Sequence, residues 1–244
     1  PNNPGSNYTT SITGAPVWNG TDLISFISWD SRAGGVITVP GAYGVIVVDT
    51  TNDTAELYVD EAGCGYGRDG VVEGDWLYVA TEAVGTAVHH LNADNGPTPC
   101  LRRFDLASRT FDDGFTVDLN ALGGGPTGSL VTTADGEALV HILDTELAAP
   151  GIADASLSNP RALSSAELWA TARLTLGDEP TLEVLDVPLR SASVLPAQLL
   201  GGLRVTPTFG AEPEILEVTS DGIMATEETG ASVTGFTSAV FQIQ

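Results

Sequence analysis

VVDTTNDTAELYV, residues 47–59, is the stretch that decides the predicted fold. A run rich in β-branched residues ends at an acidic turn, and a second such run follows directly, which is typical of two antiparallel strands. The same succession of strand, acidic turn and strand recurs as RFDLASRTFDDGFTV (103–117), LTLGDEPTLEVLDV (174–187) and LEVTSDGIMATEE (216–228). The chain therefore contains an internal repeat, with a period of roughly fifty to sixty residues.

Each junction lies within a unit of four predicted strands, and the units cover approximately residues 1–63, 64–122, 123–190 and 191–244. The predicted strands are Tyr8–Val17, Leu23–Val39, Tyr43–Asp49 and Ala55–Asp60; Gly67–Val72, Trp76–His90, Leu101–Leu106 and Phe111–Leu119; Gly128–Thr132, Glu137–Leu143, Trp169–Leu176 and Leu182–Val187; Val194–Leu199, Leu203–Phe209, Ile215–Val218 and Ile223–Glu227; and a last run, Phe236–Ile243. The one predicted helix is Ser164–Thr171, which begins with a capping serine.

Four antiparallel strands per repeat predict an all-β fold, a β-propeller with about four four-stranded blades in a single domain. A β-sandwich of this length is the alternative, although it does not require the junction to recur. Four blades are few for a propeller, so the chain is either a complete small ring or the C-terminal part of a larger one. We expect the second, with its open side covered by another protein chain or by N-terminal blades.

The chain has 244 residues, with 32 acidic residues against nine basic ones, all arginine, and a formal net charge of −23. Such a polyanion repels phosphate groups, which excludes nucleic acid or anionic membranes as partners of a basic patch. The hydrophobic fraction of 42% indicates a folded chain. No window approaches the roughly 20 consecutive apolar residues of a membrane helix, so no transmembrane segment is expected.

The two cysteines, Cys64 and Cys100, both lie in turns rich in glycine or proline. The chain begins with Pro1 rather than methionine, which indicates a processed or truncated product from which an export signal has been removed. In an exported protein two such cysteines are expected to form a disulfide, and two unrelated thiols are the alternative. We therefore expect an extracellular, cell-surface or periplasmic location.

Residues 64–145 contain a series of short motifs: CGYGRDGVV (64–72), LYVATEA (77–83), PTPCL (97–101) and VDLNAL (117–122). In these motifs the chain resembles MxcI-type proteins, exported lipoprotein-like β-propellers associated with siderophore gene clusters of myxobacteria. The resemblance is weaker over the last hundred residues. It implies a seven-bladed ring of which about four blades lie in this chain, and it implies little about mechanism.

Gly65-Tyr66-Gly67-Arg68-Asp69-Gly70 matches the GxGxxG pattern of dinucleotide-binding proteins. That interpretation requires a helix directly after the glycines, whereas VVEGDWLYVAT predicts a hairpin, so it is rejected in favour of tight turns. Polar residues at the ends of propeller strands often face the central channel. Arg68, Asp69, Thr81, Glu82 and His89 are therefore the candidate ligand-binding residues, and a structural pairing of Arg68 with Glu82 is the alternative.

His89, Asp94 and His141 are the candidate metal ligands, because the two histidines occupy equivalent predicted strands of neighbouring units. Histidines hydrogen-bonded within the fold are the alternative. The acidic clusters around Asp49, Asp94 and Asp112 resemble fragments of calcium loops without the required spacing. They are better explained as solvated turns, and weak Ca²⁺ binding is left open.

No GxSxG, HExxH or P-loop motif is present in the sequence. The repeat, the missing catalytic motifs and the resemblance together predict a non-enzymatic, exported binding or assembly module. An enzyme or a metal- or siderophore-handling protein with a site on the channel rim is one alternative. A structural subunit of an extracellular assembly is the other.

Overall fold

A computed structural model describes residues 7–61, 63–93, 95–133, 137–148, 151–152, 154–193, 198–200, 203–207, 215–219 and 221–225. The strands within these residues form four antiparallel sheets. Sheet 1 contains β1 (Thr9–Trp18), β2 (Asp22–Asp30), β3 (Tyr43–Asp49) and β4 (Thr54–Asp60); sheet 2 contains β5 (Gly67–Glu73), β6 (Trp76–Thr81), β7 (Cys100–Asp105), β8 (Thr110–Phe111) and β9 (Val117–Asp118); sheet 3 contains β10 (Thr127–Thr132), β11 (Ala138–Leu143), β12 (Trp169–Thr175) and β13 (Thr181–Val184); sheet 4 contains β14 (Gln198–Leu200), β15 (Leu203–Pro207), β16 (Ile215–Thr219) and β17 (Gly222–Ala225).

Within each sheet the strands pair in the order in which they occur along the chain, and β9 adds a second partner for β7 in sheet 2. The all-β prediction is therefore confirmed, and each predicted four-strand unit forms a sheet of its own. The acidic turns join the third and fourth strands of each sheet, as the quoted stretch illustrates with Asp49 opposite Thr54.

The core lies between neighbouring sheets. Phe26 and Val45 of sheet 1 belong to one buried cluster with Leu77 and Phe104 of sheet 2. A second buried cluster, shared by sheets 2 and 3, includes Tyr78, Leu101, Val140 and Leu174. Sheet 2 is thus covered on both faces, and its strand β6 is buried from Leu77 to Thr81.

The GxGxxG stretch leads into strand β5 rather than into a helix, which confirms the rejection of a dinucleotide site. The expectation that its glycines form tight turns is wrong for Gly70, which lies within β5. A β-carbon there would come within 2.8 Å of both the Phe26 ring and the Tyr78 carbonyl oxygen. Gly70 therefore permits close packing of the first sheet against the second.

The predicted strand Trp76–His90 is wrong beyond Thr81. The chain turns there into helix α1 (Ala83–Leu91), which carries His89 and His90. Valine and threonine favoured a strand prediction because of their β-branched side chains. The helix is buried on every side from Ala83 to His89, so it lacks the one-sided apolar stripe that identifies a surface helix.

Other predicted bounds also change. The helix expected at Ser164–Thr171 is wrong: helix α4 covers Arg161–Ser164, and Trp169 begins β12 with its indole nitrogen donating to the Leu163 carbonyl oxygen. The strand expected at Phe111–Leu119 is interrupted by a turn, and α2 (Leu119–Gly123) begins at its end. Within the described residues, the remaining helices are α3 (Thr145–Ala148) and a short 3₁₀ turn at Ala33–Gly35. The second predicted strand, Leu23–Val39, ends at Asp30. The predicted run Phe236–Ile243 lies outside the described residues.

Cys64 and Cys100 form a disulfide, as predicted from the sequence. It joins the segment before β5 to the start of β7, and both sulfur-bearing residues are buried. Among the residues that the structure describes, no helix is long and apolar enough to cross a membrane.

A buried ion pair joins the first two sheets. Arg102, on β7, is fully buried, and its Nε lies 2.7 Å from an oxygen of Asp60 at the end of β4. Its guanidinium also donates to the Phe115 carbonyl oxygen and the Thr116 hydroxyl. The pair fixes β7 against the end of β4.

Candidate functional site

The long connections of the fold gather at one edge of the sheets. In sheets 1, 2 and 3 the chain leaves the second strand at Asp30, Thr81 and Leu143 and returns only after an extended segment. Because the strands alternate in direction, these connections share an edge, which also receives the links between sheets. We call it the loop edge, and it holds helices α1, α3 and α4. Connecting segments on a rigid scaffold are where binding residues concentrate.

Tyr66 lies at the loop edge, immediately before β5. Its side chain is buried, and its φ of 62° is in the left-handed region, which costs a residue with a β-carbon roughly 1–2 kcal/mol. The Tyr66 carbonyl oxygen accepts a hydrogen bond of 3.0 Å from the Glu82 amide. A β-carbon on Gly85 of α1 would lie 2.9 Å from the Tyr66 β-carbon. Helix and sheet thus hold Tyr66 in a strained conformation, a feature that concentrates at functional sites.

Glu82 connects β6 to α1. Its carboxylate accepts a hydrogen bond of 2.9 Å from the Val84 amide and so caps the helix. Burial raises the pKa of Glu82, and the positive charges of Arg68 and Arg161 together with the Val84 hydrogen bond oppose that rise. A buried carboxyl group with a raised pKa, on which the charges of two arginines act, therefore lies at the loop edge.

The same charges surround the Tyr66 ring. The central guanidinium carbon of Arg68 lies 5.7 Å from the ring centre. Burial raises the pKa of the Tyr66 hydroxyl, the negative charges of Glu82 and Asp30 raise it further, and the positive charges of Arg68 and Arg161 lower it. These five residues, which we call the edge cluster, come from sheet 1, sheet 2 and the connection between β11 and β12 in sheet 3.

Of the five predicted ligand-binding residues, Arg68 and Glu82 belong to the edge cluster, where the charge of Arg68 acts on the Glu82 carboxyl group. Asp69 follows Arg68 on β5, and its carboxylate accepts from the Gly70 amide. Thr81 is buried, and its hydroxyl oxygen accepts a hydrogen bond of 3.1 Å from the Cys100 amide. That bond holds the backbone of a disulfide-bonded cysteine, so the Thr81 hydroxyl makes a structural contact.

His89 lies in the last turn of α1 rather than on a strand. It lines, with Gly65, Asn95 and Pro97, a cavity of about 10 Å³. A cavity of that size holds at most one water molecule. The position therefore gives no room for an organic ligand.

Among the described residues, no three His, Cys, Asp or Glu side chains are grouped so that they could hold a metal ion. His141 is fully buried in the middle of sheet 3, opposite Thr171 on β12. Asp94, the third candidate ligand, lies outside the described residues.

Because of the buried His141, we expect the free energy of unfolding to depend on pH. Burial lowers the pKa of His141 to about 4, the positive charge of Arg190 lowers it further, and the Ser129 backbone carbonyl opposes this lowering. Since an unfolded histidine has a pKa near 6.5, the unfolded state binds the proton more tightly. The free energy of unfolding is therefore expected to hold above about pH 6.5 and to fall by about 3 kcal/mol as the pH approaches 4.

Urea denaturation at several pH values measures this effect, with His141→Gln as the variant that does not titrate. The stability advantage of the native protein over His141→Gln should shrink between pH 7 and pH 4. His90→Gln is the control for removing a histidine elsewhere. A constant difference between native protein and His141→Gln across that range would contradict the expectation.

The carboxylates of the acidic turns accept hydrogen bonds from other residues of the protein. Asp49 accepts hydrogen bonds from the Thr51 and Asn52 amides and from the Asn52 side chain. The bonds from Asn52, together with those from Thr51 and Arg109, lower the pKa of Asp49 to about 2 against the effect of desolvation. Asp112 likewise accepts from the Gly114 amide and from Arg103. These contacts account for the two clusters as hydrogen-bonded turns.

A larger cleft of about 350 Å³ lies at the opposite edge, between sheets 2 and 3. Its one basic residue, Arg173, already pairs with Glu137, Glu183 and Asp221 at 3.3 Å, 2.8 Å and 3.3 Å. Arg173 is thus engaged by two acidic residues of sheet 3 and one of sheet 4, which makes the edge cluster the better candidate site.

Sequence reasoning missed Tyr66, Asp30 and Arg161. Tyr66 had a local signal, because the glycines on either side indicated an unusual backbone conformation. Arg161 had none, since it lies far from the other members in sequence and on a helix that was predicted in a different place.

Comparison of the sequence with family models and with curated proteins found no match. Function is therefore inferred from the edge cluster and from the repeated sheets.

Proposed function

We propose that this protein is an exported β-propeller of the MxcI-like kind that acts as a non-enzymatic binding module. The order of the strands supports the propeller, because each sheet contains a four-strand meander like a propeller blade. The contacts between sheets support it too: β1 contacts β5, and β5 contacts β10. First strands lie side by side in this way when blades are arranged around a common axis. On this proposal the chain is part of a seven-bladed ring.

The disulfide supports export, because disulfides persist in oxidising environments such as the periplasm or the cell exterior. The strongly acidic composition fits the same setting, since high net charge keeps a protein soluble. We therefore propose a location outside the cytoplasm.

The edge cluster is the proposed binding site, and it carries the functional proposal. Two arginines, Arg68 and Arg161, act on one carboxyl group beside a buried, strained tyrosine. In a chain of net charge −23, two arginines at one site favour a ligand that carries an acid group. The proposed ligand is thus a small organic carboxylate or phosphate.

Equilibrium titration of the purified chain with citrate and with inorganic phosphate at low ionic strength tests this proposal. Arg68→Gln and Arg161→Gln should each weaken binding by about tenfold, the effect of losing one charge-assisted hydrogen bond. Arg173→Gln is the control for removing an arginine elsewhere, because Arg173 lies in the cleft at the opposite edge of the sheets. Equal weakening by all three variants, or no binding by the native chain, would disprove the proposed site.

Glu82→Gln is expected to change the same binding in the opposite direction. Removing the carboxylate removes a negative charge that repels an acidic ligand, so the affinity should rise by about tenfold. The amide keeps an oxygen that accepts from the Val84 amide, so α1 remains capped. Titration with citrate at pH 7 measures the change, and a weaker affinity would show that Glu82 contacts the ligand favourably.

A further inference from the structure

The joints between neighbouring sheets follow a repeated pattern. Arg103, on the third strand of sheet 2, lies 2.6 Å from Asp178 in the turn after the third strand of sheet 3. Arg173, on the third strand of sheet 3, lies 3.3 Å from Asp221 in the corresponding turn of sheet 4. Both arginines are two residues before the end of their strands. In both joints the turn of one sheet thus reaches back to the third strand of the sheet before it.

The joint between sheets 1 and 2 also uses the turn of the later sheet, but the charges are exchanged and the acidic partners lie at the ends of strands. Here the turn of sheet 2 carries Arg109, which lies 3.1 Å from Asp22 and 3.2 Å from Asp49 of sheet 1. The turn between the third and fourth strands is therefore the element that makes contact with the preceding sheet, whichever sign it carries.

The turn of sheet 1 is built like the turn of sheet 2. Asp49 accepts from the amides two and three residues later, and Asp105 does the same. The last residues of the two turns, Asp53 and Arg109, have matching left-handed φ angles of 53° and 56°. Asp53 therefore occupies in sheet 1 the position from which Arg109 reaches back to the preceding sheet. It is exposed, and it forms no ion pair with any residue that the structure describes.

The face of sheet 1 on that side is apolar. Ile27 and Trp29 pack there with Ile46 and Leu57, and all described members of this cluster come from sheet 1 and its flanking segments. By strand register Ile12, opposite Ile27, and Trp18, opposite Leu23, lie on the same face. Ile12 is 63% exposed and Trp18 is 56% exposed. We call this surface, with Asp53 at its rim, the outer face.

We propose that the outer face docks a further four-stranded blade carried by a partner chain, with an arginine or lysine on the third strand of that blade opposite Asp53. This inference rests on the propeller arrangement proposed above. The partner blade is inferred from the joints of sheets 2, 3 and 4. In those joints a basic residue, two positions before the end of the third strand, meets an acidic residue in the turn of the next sheet.

A second copy of this chain, joined head to tail, does not fit that requirement. It would present sheet 4, whose third strand carries Glu217 two residues before its end, at the position of Arg103 and Arg173. An acidic residue opposite Asp53 is a like-charge contact, which disfavours a partner. The partner blade therefore has a sequence different from sheet 4.

Photo-crosslinking from the outer face tests the inference in the full chain. Ile12 is replaced by p-benzoylphenylalanine in the cells that produce the protein, and crosslinked peptides are identified by mass spectrometry. The control places the same side chain at Val184, which is 61% exposed on sheet 3. We expect the Ile12 position alone to join a β-strand peptide of another protein, and the Val184 position to leave that protein unlabelled.

Charge reversal then identifies the contact. Asp53→Arg should reduce the crosslinking yield by about tenfold or more, whereas Asp113→Arg, at another exposed turn residue, should leave it unchanged. The Asp53 position accepts arginine, because Arg109 has the same backbone conformation in sheet 2. Replacing the partner's basic residue with aspartate should restore the yield of Asp53→Arg.

A crosslink to a second copy, a crosslink only within the chain, or a yield that Asp53→Arg does not change would overturn the inference. The edge cluster is tested separately, since Arg68→Gln should affect citrate binding and leave the crosslink intact. Failure of the docking proposal and failure of the proposed binding site are therefore distinguishable.

Discussion

Replacing Arg102 with methionine is expected to lower the free energy of unfolding by about 3–5 kcal/mol, the usual loss when one partner of a buried ion pair is removed. Arg102 has no exposed surface, and its partner Asp60 is 5% exposed. Without the guanidinium, the buried Asp60 carboxylate beside Tyr43 would lose its partner of opposite charge. The buried Phe115 carbonyl oxygen and the Thr116 hydroxyl would lose their donor as well.

Urea denaturation at pH 7 measures the loss. Arg32→Met is the control for removing an arginine, because the Arg32 side chain is 72% exposed. An ion pair made by so exposed a side chain contributes only about 0–1 kcal/mol. A double variant, Arg102→Met with Asp60→Leu, should recover much of the lost stability, since no uncompensated charge remains. Equal losses for Arg102→Met and Arg32→Met would contradict this account of the joint between sheets 1 and 2.

The strands were predictable because their signal is local. β3 was predicted at Tyr43–Asp49 and has those bounds, since YGVIVVD combines β-branched residues with an acidic turn directly after it. The contacts of the arginines could not be predicted from local sequence. Their scarcity was visible in the composition, but their use in joints between sheets depends on contacts across 42 residues for Arg102 and Asp60 and 75 residues for Arg103 and Asp178.

Helix α1 shows where local signals fail. Val84, Thr86 and Val88 favour strand, yet the segment is helical because Glu82 caps it and sheet 3 and α4 pack around it. The wrong strand prediction also affected the candidate site residues. His89 was placed on a strand and considered as a metal ligand, whereas the helix moves it to the small cavity beside Gly65. Arg68 and Glu82 could be named as candidates from the sequence because both lie near strand ends, whose positions the repeat predicts.

The second large effect is expected from the disulfide. Replacing Cys64 and Cys100 together with alanine should lower the free energy of unfolding by about 4 kcal/mol, from the chain entropy that a loop of this length regains in the unfolded state. The two cysteines are 36 residues apart in sequence. The closed loop contains β5, β6 and α1, and therefore three members of the edge cluster: Tyr66, Arg68 and Glu82. The crosslink thus stabilises the segment that supplies most of the candidate site.

Urea denaturation of the native chain with and without dithiothreitol provides the internal control. Both half-cystines are buried, so the reductant acts efficiently only once the chain unfolds, and it should lower the urea midpoint of the native chain. The double alanine variant should show the lower midpoint already and should not respond to dithiothreitol. A change below about 1 kcal/mol in the double variant would show that packing around Thr81 and Tyr66, rather than the crosslink, holds the loop closed. In that case citrate binding at the edge cluster should also survive reduction, which titration of the reduced protein would measure directly.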